Sequence, residues 1–346
     1  MFLTEAEILD TPAALERTCG YFSERQADLS EFFETYPKRK FVFLGCGSSF
    51  MLAKSAAALF SAFPGTGAFA IPAGDYIVSP EFWLETVRGS VVVSISRSGR
   101  TSEMVRAVRH MKQSCGCPVI SLSMEAGNDI APMSNLDLTM DWCYDRSVCQ
   151  TRTVTNLYTA VLLLGAAYAH DGLLAEAVRE ASRCSGGFQR ENRGILEAVA
   201  DLDWKNVTVL ADGPLCGIAE EAALAFTEIA LMTGRYFHIL DYRHGPVVVS
   251  GPDTLTLMLL SPAEDTLQGG LVRDVKAHGG PVVTVSRHKE NVFGSTAHIP
   301  MPEIRSFAAW GILFIYVAQM LALKKSINLG GNPDAPKGLD AYITLK

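Results

Sequence analysis

The sequence has no C-x2-C pair, no G-x4-G-K-[ST] phosphate loop and no excess of basic residues, and each absence removes a class of function. Its eight cysteines are scattered, at positions 19, 46, 115, 117, 143, 149, 184 and 216. Only Cys115 and Cys117 lie close together, and without a partner cluster they give no metal signal. Free thiols in a reducing, cytoplasmic setting are expected. The net charge of -7 argues against nucleic acid or an anionic membrane surface as partner. Any bound phosphate must therefore be held by local dipoles and hydroxyls. Gly45-Cys46-Gly47 does not complete a dinucleotide fingerprint, because position 50 is Phe and no acidic residue lies at a suitable distance. Neither NAD nor ATP is expected, and no other cofactor or metal is. The opening residues, MFLTEAEILDTPAAL, lack the apolar run of a signal peptide.

What is present is a long, well-packed chain. With 346 residues, 48% hydrophobic and 19% charged, it exceeds one comfortable core and suggests two domains. Short β-branched runs alternate with helical patterns: FVFLGCG (41–47), SVVVSIS (90–96), CPVISLS (117–123), VTVLADG (207–213), YFHILDY, TLTLMLLS (254–261) and PVVTVS. Such alternation means parallel sheets with helices on both faces. The units FVFLGCGSSFMLAKSAAALF and VTVLADGPLCGIAEEAALAF are alike in pattern and length, so an internal duplication is expected. The expected layout is a helical segment at 1–34, one domain at 35–185 and a second at 186–346, divided by a polar break at Ser185-Gly186-Gly187. The fold class is α/β, with two tandem doubly wound, flavodoxin-like parallel sheets in three αβα layers.

Residues 307–323, FAAWGILFIYVAQMLAL, are nearly all apolar and are flanked by Arg305, Lys324 and Lys325. Two readings are open, a helix buried between a sheet and a subunit interface, or a membrane anchor. The run is short for a span, contains Gln319 and stands among strand-turn-helix units, which favours the buried helix.

In open parallel sheets ligands sit beyond the carboxyl ends of the strands. The stretch VVVSISRSGRTSE (91–103) delivers Ser96, Arg97, Ser98 and Thr101 to a helix start, a place suited to a phosphate. Helix capping is the commoner use of serine there and stays open as an alternative. Ser48 and Ser49 supply a second hydroxyl pair at the neighbouring turn. In the second half Glu221 and Glu228 lie seven apart on a helical segment and share a face with Leu224 and Ala225. A carboxylate on such a face can shuttle a proton near neutral pH. His244, in DYRHGPVVV, has the side chain best suited to exchange protons with a sugar ring oxygen. A cap or ion pair for the glutamates, and a structural role for the histidine, are the plainer alternatives.

FLGCGSSF, SISRSGRTSE, AEEAALAFTEI, DYRHGPVVV and NPDAPKGLDAYITL together resemble the double sugar-isomerase (SIS) domain family, which includes the isomerase half of glucosamine-fructose-6-phosphate synthase. The resemblance runs from about residue 35 to the C-terminus and includes no glutaminase half. It implies that Ser49, Ser96, Ser98 and Thr101 hold a sugar phosphate, with Arg97 where the synthase has a glutamine. It implies that Glu228 moves a proton between C1 and C2, and that His244 assists ring opening from the neighbouring subunit of a homodimer with shared active sites. Asp145 and Thr151 fall in a segment, DRSVCQTRT, that lines the sugar in relatives. Ala341 stands where the synthase has its Schiff-base lysine. The resemblance thus implies a phosphosugar isomerase or amino-sugar phosphate deaminase, with a fructosamine-6-phosphate deglycase or a non-catalytic sugar-phosphate sensor as alternatives.

Overall fold

The computed structural model describes residues 1–339. Two helices, α1 (Leu3–Glu24) and α2 (Gln26–Thr35), form the N-terminal helical segment. They precede β1 (Lys40–Gly45), whose side chains show why both faces of the first sheet are covered. Phe41 and Phe43 pack on Phe60 of α3 (Ser48–Ser61). Val42 and Leu44, pointing the other way, join a core with Ile71 of β2 (Gly67–Pro72) and Tyr76 of α4 (Ala73–Val78). From Phe41 to Leu44 the strand is apolar at every position and so has no solvent face. After α5 (Pro80–Val87) come β3 (Val91–Ile95), α6 (Ser102–Cys115), β4 (Val119–Ser123), β5 (Leu136–Thr139) and α7 (Arg152–Ala169). The sheet is parallel throughout, in the order β2-β1-β3-β4-β5.

The next helix, α8 (Gly172–Ala200), runs unbroken through Ser185-Gly186-Gly187, so the expected polar break is absent. Each glycine costs a helix about 1 kcal/mol relative to alanine, but Leu174, Val178, Ala181, Phe188, Leu196 and Val199 are buried along it and hold the helix on both sides. The described chain divides into two compact units at Arg179–Glu180 instead. One unit comprises Asp10–Arg146 and Gln150–Arg179, and the other Met1–Leu9, Ser147–Cys149 and Glu180–Leu339.

The second unit contains β6 (Asn206–Leu210), α9 (Cys216–Ala230), β7 (Thr233–Phe237), β8 (Thr254–Leu259), α10 (Thr266–Ala277), β9 (Val282–Ser286), β10 (Ala297–Pro300) and α11 (Phe307–Asn328). Its parallel order, β10-β9-β8-β6-β7, is that of the first sheet counted from β6. The duplication suspected from the two opening units is therefore a duplication of topology. The strand expected at YFHILDY begins earlier, at Thr233, and ends at Phe237; Leu240–Arg243 form a 3-10 turn. Strands β2, β5 and β10 escape the sequence pattern because each is a partly exposed edge strand. The apolar run belongs to α11, which packs on α9. By length and composition α11 could cross a membrane, yet 89% of its most apolar window is buried inside the protein, as in a core helix.

The first turn of α1 is tied into this second unit. Asp334 accepts the N–H of Thr4 at 2.7 Å, its hydroxyl at 2.8 Å and the N–H of Leu3 at 2.8 Å. Burial opposes the charge of this carboxyl, but those donors outweigh it and its pKa falls below the ordinary 3.8. A depressed carboxyl stabilises the fold in full above its unfolded value and loses that contribution as pH falls through the folded one. Asp334→Asn, which turns one of the two accepting oxygens into a donor, should therefore cost about 1 kcal/mol at neutral pH, the scale of one hydrogen bond. The melting-temperature difference between parent and variant should shrink as the pH is taken well below the ordinary carboxyl value.

Candidate functional site

The carboxyl ends of β1 and β3 are neighbours, at the point where the first sheet reverses its strand order. Crevices open at such points. Past β3, Ser96, Arg97 and Ser98 are buried, and Gly99 takes a left-handed φ of 59° before α6 begins. A side chain at Gly99 would also collide with Asn128, whose Oδ1 would lie 2.3 Å from the added carbon. Asn128 is itself fixed, accepting the N–H groups of Ile130 and Ala131 at 3.0 Å and donating to Ser123 Oγ at 3.0 Å.

The hydroxyls face the turn in a particular sense. Ser96 Oγ accepts the Gly99 N–H at 3.0 Å and Ser98 Oγ accepts the Arg100 N–H at 3.2 Å. A hydroxyl that accepts within its own turn keeps its O–H to donate, so both can serve an anionic oxygen. Thr101 is the N-cap residue of α6, but its hydroxyl makes no capping bond. The helix-cap alternative is not how this threonine is used. Arg97 places its guanidinium 5.8 Å from the centre of the Tyr144 ring. Arg100 braces the turn, reaching Glu125 at 2.9 Å and the Gly127 carbonyl at 3.3 Å.

At the β1 end, Ser48 and Ser49 are buried in the first turn of α3. Gly45 is required because a side chain there would lie 2.4 Å from the Ser49 carbonyl carbon. Burial, with the Glu103 carboxylate adding to it, pushes the Cys46 thiol up to about 11, so this cysteine is inert. Asp145 and Thr151 lie together, in a structural arrangement. Asp145 Oδ2 accepts the N–H groups of Thr151 at 2.6 Å and Thr153 at 2.9 Å, closing the N-terminus of α7. Arg152 Nε lies 3.6 Å from the other oxygen of Asp145.

In the second unit Glu221 and Glu228 both sit on α9. Glu221 is 3% exposed, whereas Glu228 is half-buried. His244 follows the 3-10 turn, is exposed and donates its N–H to the Asp241 carbonyl at 2.9 Å. Ala341 lies outside the described residues.

Residues 34–170 match the SIS domain family. The chain carries a SIS domain. It spans the first sheet and both serine turns, and the second sheet repeats its strand order. Nearly the whole chain, 96%, is 25% identical to a D-galactosamine-6-phosphate deaminase, AgaS, of Escherichia coli, covering 91% of that protein. A glutamine-fructose-6-phosphate aminotransferase of Photorhabdus laumondii is 24% identical over 99% of this chain and 58% of its own length. Among solved structures, tagatose-6-phosphate ketose/aldose isomerase of Escherichia coli superposes with a TM-score of 0.86 at 22% identity, over 99% of this chain and 97% of that one. Glucosamine-6-phosphate deaminase of Thermotoga maritima gives 0.79 at 24% identity, over 95% and 99% respectively. The two structural likenesses bear on the fold alone.

Sequence reasoning overlooked Asn128 in the SIS domain, because its partner Gly99 is remote in sequence and no local pattern marks the contact. Gly99→Ala should lower stability by several kcal/mol, through both the left-handed backbone and the clash. In Gly99→Ala with Asn128→Ala the clashes with Oδ1 and Cγ are gone, while the close approach to the Cβ at position 128 and the backbone strain stay. Thermal melting should show a double variant less damaged than the sum of the two single changes.

Proposed function

We propose that this chain is a phosphosugar enzyme of the isomerase or deaminase type, acting on an amino-sugar or ketose/aldose 6-phosphate. The reading is carried by the serine turn, where two buried hydroxyls accept N–H groups of their own turn and keep O–H groups for a phosphate beside a buried arginine. Ser48, Ser49, Ser96, Arg97, Ser98 and Thr101 hold the phosphate, and Glu221 binds the sugar. The first unit's hydroxyls and helix dipoles meet the local need for positive potential in a chain of net charge -7.

Glu228 is the general base. It takes the proton from C2 of the open-chain sugar and returns it to C1, through an enediol or, on an amino sugar, an enolamine. For an amino sugar the C2 imine so formed adds water and loses ammonia, leaving the ketose phosphate. Such a substrate brings its own nitrogen, which fits a sequence with Ala341 in place of an imine-forming lysine. The similarity to a D-galactosamine-6-phosphate deaminase over 96% of the chain supports the amino-sugar substrate. His244 protonates the ring oxygen during opening. Its exposure in the single chain fits a histidine offered to the neighbouring subunit of a homodimer.

Incubation with glucosamine or galactosamine 6-phosphate should release ammonia and ketose phosphate in equal amounts. Release of a free amino acid from fructosamine 6-phosphates instead would establish the deglycase, and binding without turnover a sensor. Glu228→Gln should lower turnover by about a hundredfold or more while leaving ligand affinity within a small factor, since general-base catalysis contributes that much. Ser98→Ala should weaken the phosphorylated ligand by about 1–2 kcal/mol and leave the unphosphorylated sugar unaffected, as measured by calorimetry.

A further inference from the structure

In the second unit, a cluster apart from these residues is arranged for nucleophilic chemistry. β6 and β7 pair in parallel with Leu210 opposite Phe237, so the residues leaving the two strands emerge side by side. Asp212 follows β6 and His238 follows β7. Asp212 Oδ1 lies 3.0 Å from His238 Nδ1 and accepts the Ile239 N–H at 3.2 Å, which orients it. Across the ring, His238 Nε2 lies 3.5 Å from Sγ of Cys216, the first residue of α9. The three groups run in the order carboxylate, imidazole, thiol.

That order assigns the ring proton to Nδ1, where the carboxylate accepts it, and turns the Nε2 lone pair toward the thiol. The positive end of α9 favours a negative sulfur at its first residue. Other cysteines are set against reaction: burial raises Cys117 and pushes Cys184 to about 11 and Cys143 to about 12. The site is open to solvent, with Cys216 half-buried and the His238 side chain 57% exposed. Among the described residues no group of three or more His, Cys, Asp and Glu is arranged to hold a metal.

We propose that Cys216, His238 and Asp212 form a nucleophilic thiol site for low-molecular-weight disulfides, which makes Cys216 a position of reversible S-thiolation. His238 Nε2 takes the thiol proton, and Asp212 steadies the imidazolium. The thiolate attacks one sulfur of the disulfide; that S–S bond breaks as a new one forms to Cys216. The leaving thiolate takes the proton from His238, so no proton is gained or lost overall. The disulfide is the oxidant, and a second thiol reverses the step. None of this depends on the sugar-phosphate reading.

The test is to treat the native full chain with an equimolar amount of oxidised glutathione or dithiobis(nitrobenzoate), and to follow each cysteine by peptide mass. Cys216 should be modified at least about tenfold faster than any other cysteine, and dithiothreitol should restore the original mass. His238→Gln should slow that modification about tenfold without changing the melting temperature, since the ring acts on the thiol rather than on the fold. Labelling of Cys216 no faster than that of Cys19 or Cys115, or an unchanged rate in His238→Gln, overturns the proposal. The mapping uses the unaltered chain and so decides the matter even if the variant is unstable.

Discussion

Parallel strand pairing is the constraint on which the rest of this structure depends. A parallel neighbour cannot be reached by a tight hairpin, so the chain must cross over, mostly through helices lying on the sheet faces. Every strand then ends on the same edge of its sheet, and several ends open directly into a helix with unsatisfied N–H groups. In the first unit this brings the turn after β1 beside the turn after β3. In the second it brings Asp212 beside His238. The candidate site residues of each unit lie together because parallel strands deliver their carboxyl ends to one edge of the sheet.

The serine turn shows how such an edge presents hydroxyl donors in an acidic protein. The hydroxyls of Ser96 and Ser98 are oriented by the turn's own N–H groups. Gly99 holds its left-handed conformation because it has no Cβ, and the same lack leaves room for Asn128 beside it. Arg100 is occupied by Glu125, while Arg97 is buried at the cradle itself. The two arginines are thus placed differently within four residues, one bracing the loop and one buried beside the serines.

Asp145 illustrates how tertiary packing gives a residue work that its sequence pattern does not announce. Its Oδ2 is engaged by the first N–H groups of α7, where a carboxylate is favoured by both hydrogen bonds and the helix dipole. The long helix α8 teaches the same lesson for glycine. Ser185-Gly186-Gly187 reads as a break in composition, yet buried apolar residues on both sides carry the helix through it.

The sequence by itself determined the α/β class, the central strands and their duplicated order of appearance, and the two serine turns. It could do so because these features are local: apolar runs of strand length, a helical period of 3.6, and hydroxyls adjacent to glycine at strand ends. Only the tertiary structure decided the edge strands, the continuity of α8, the burial of α11 and the Gly99–Asn128 contact. It also brought Asp212, His238 and Cys216 to one place, through the register of β6 against β7. Each of these depends on residues distant in sequence, and on packing free energy that outweighs local preference, which no window along the chain contains.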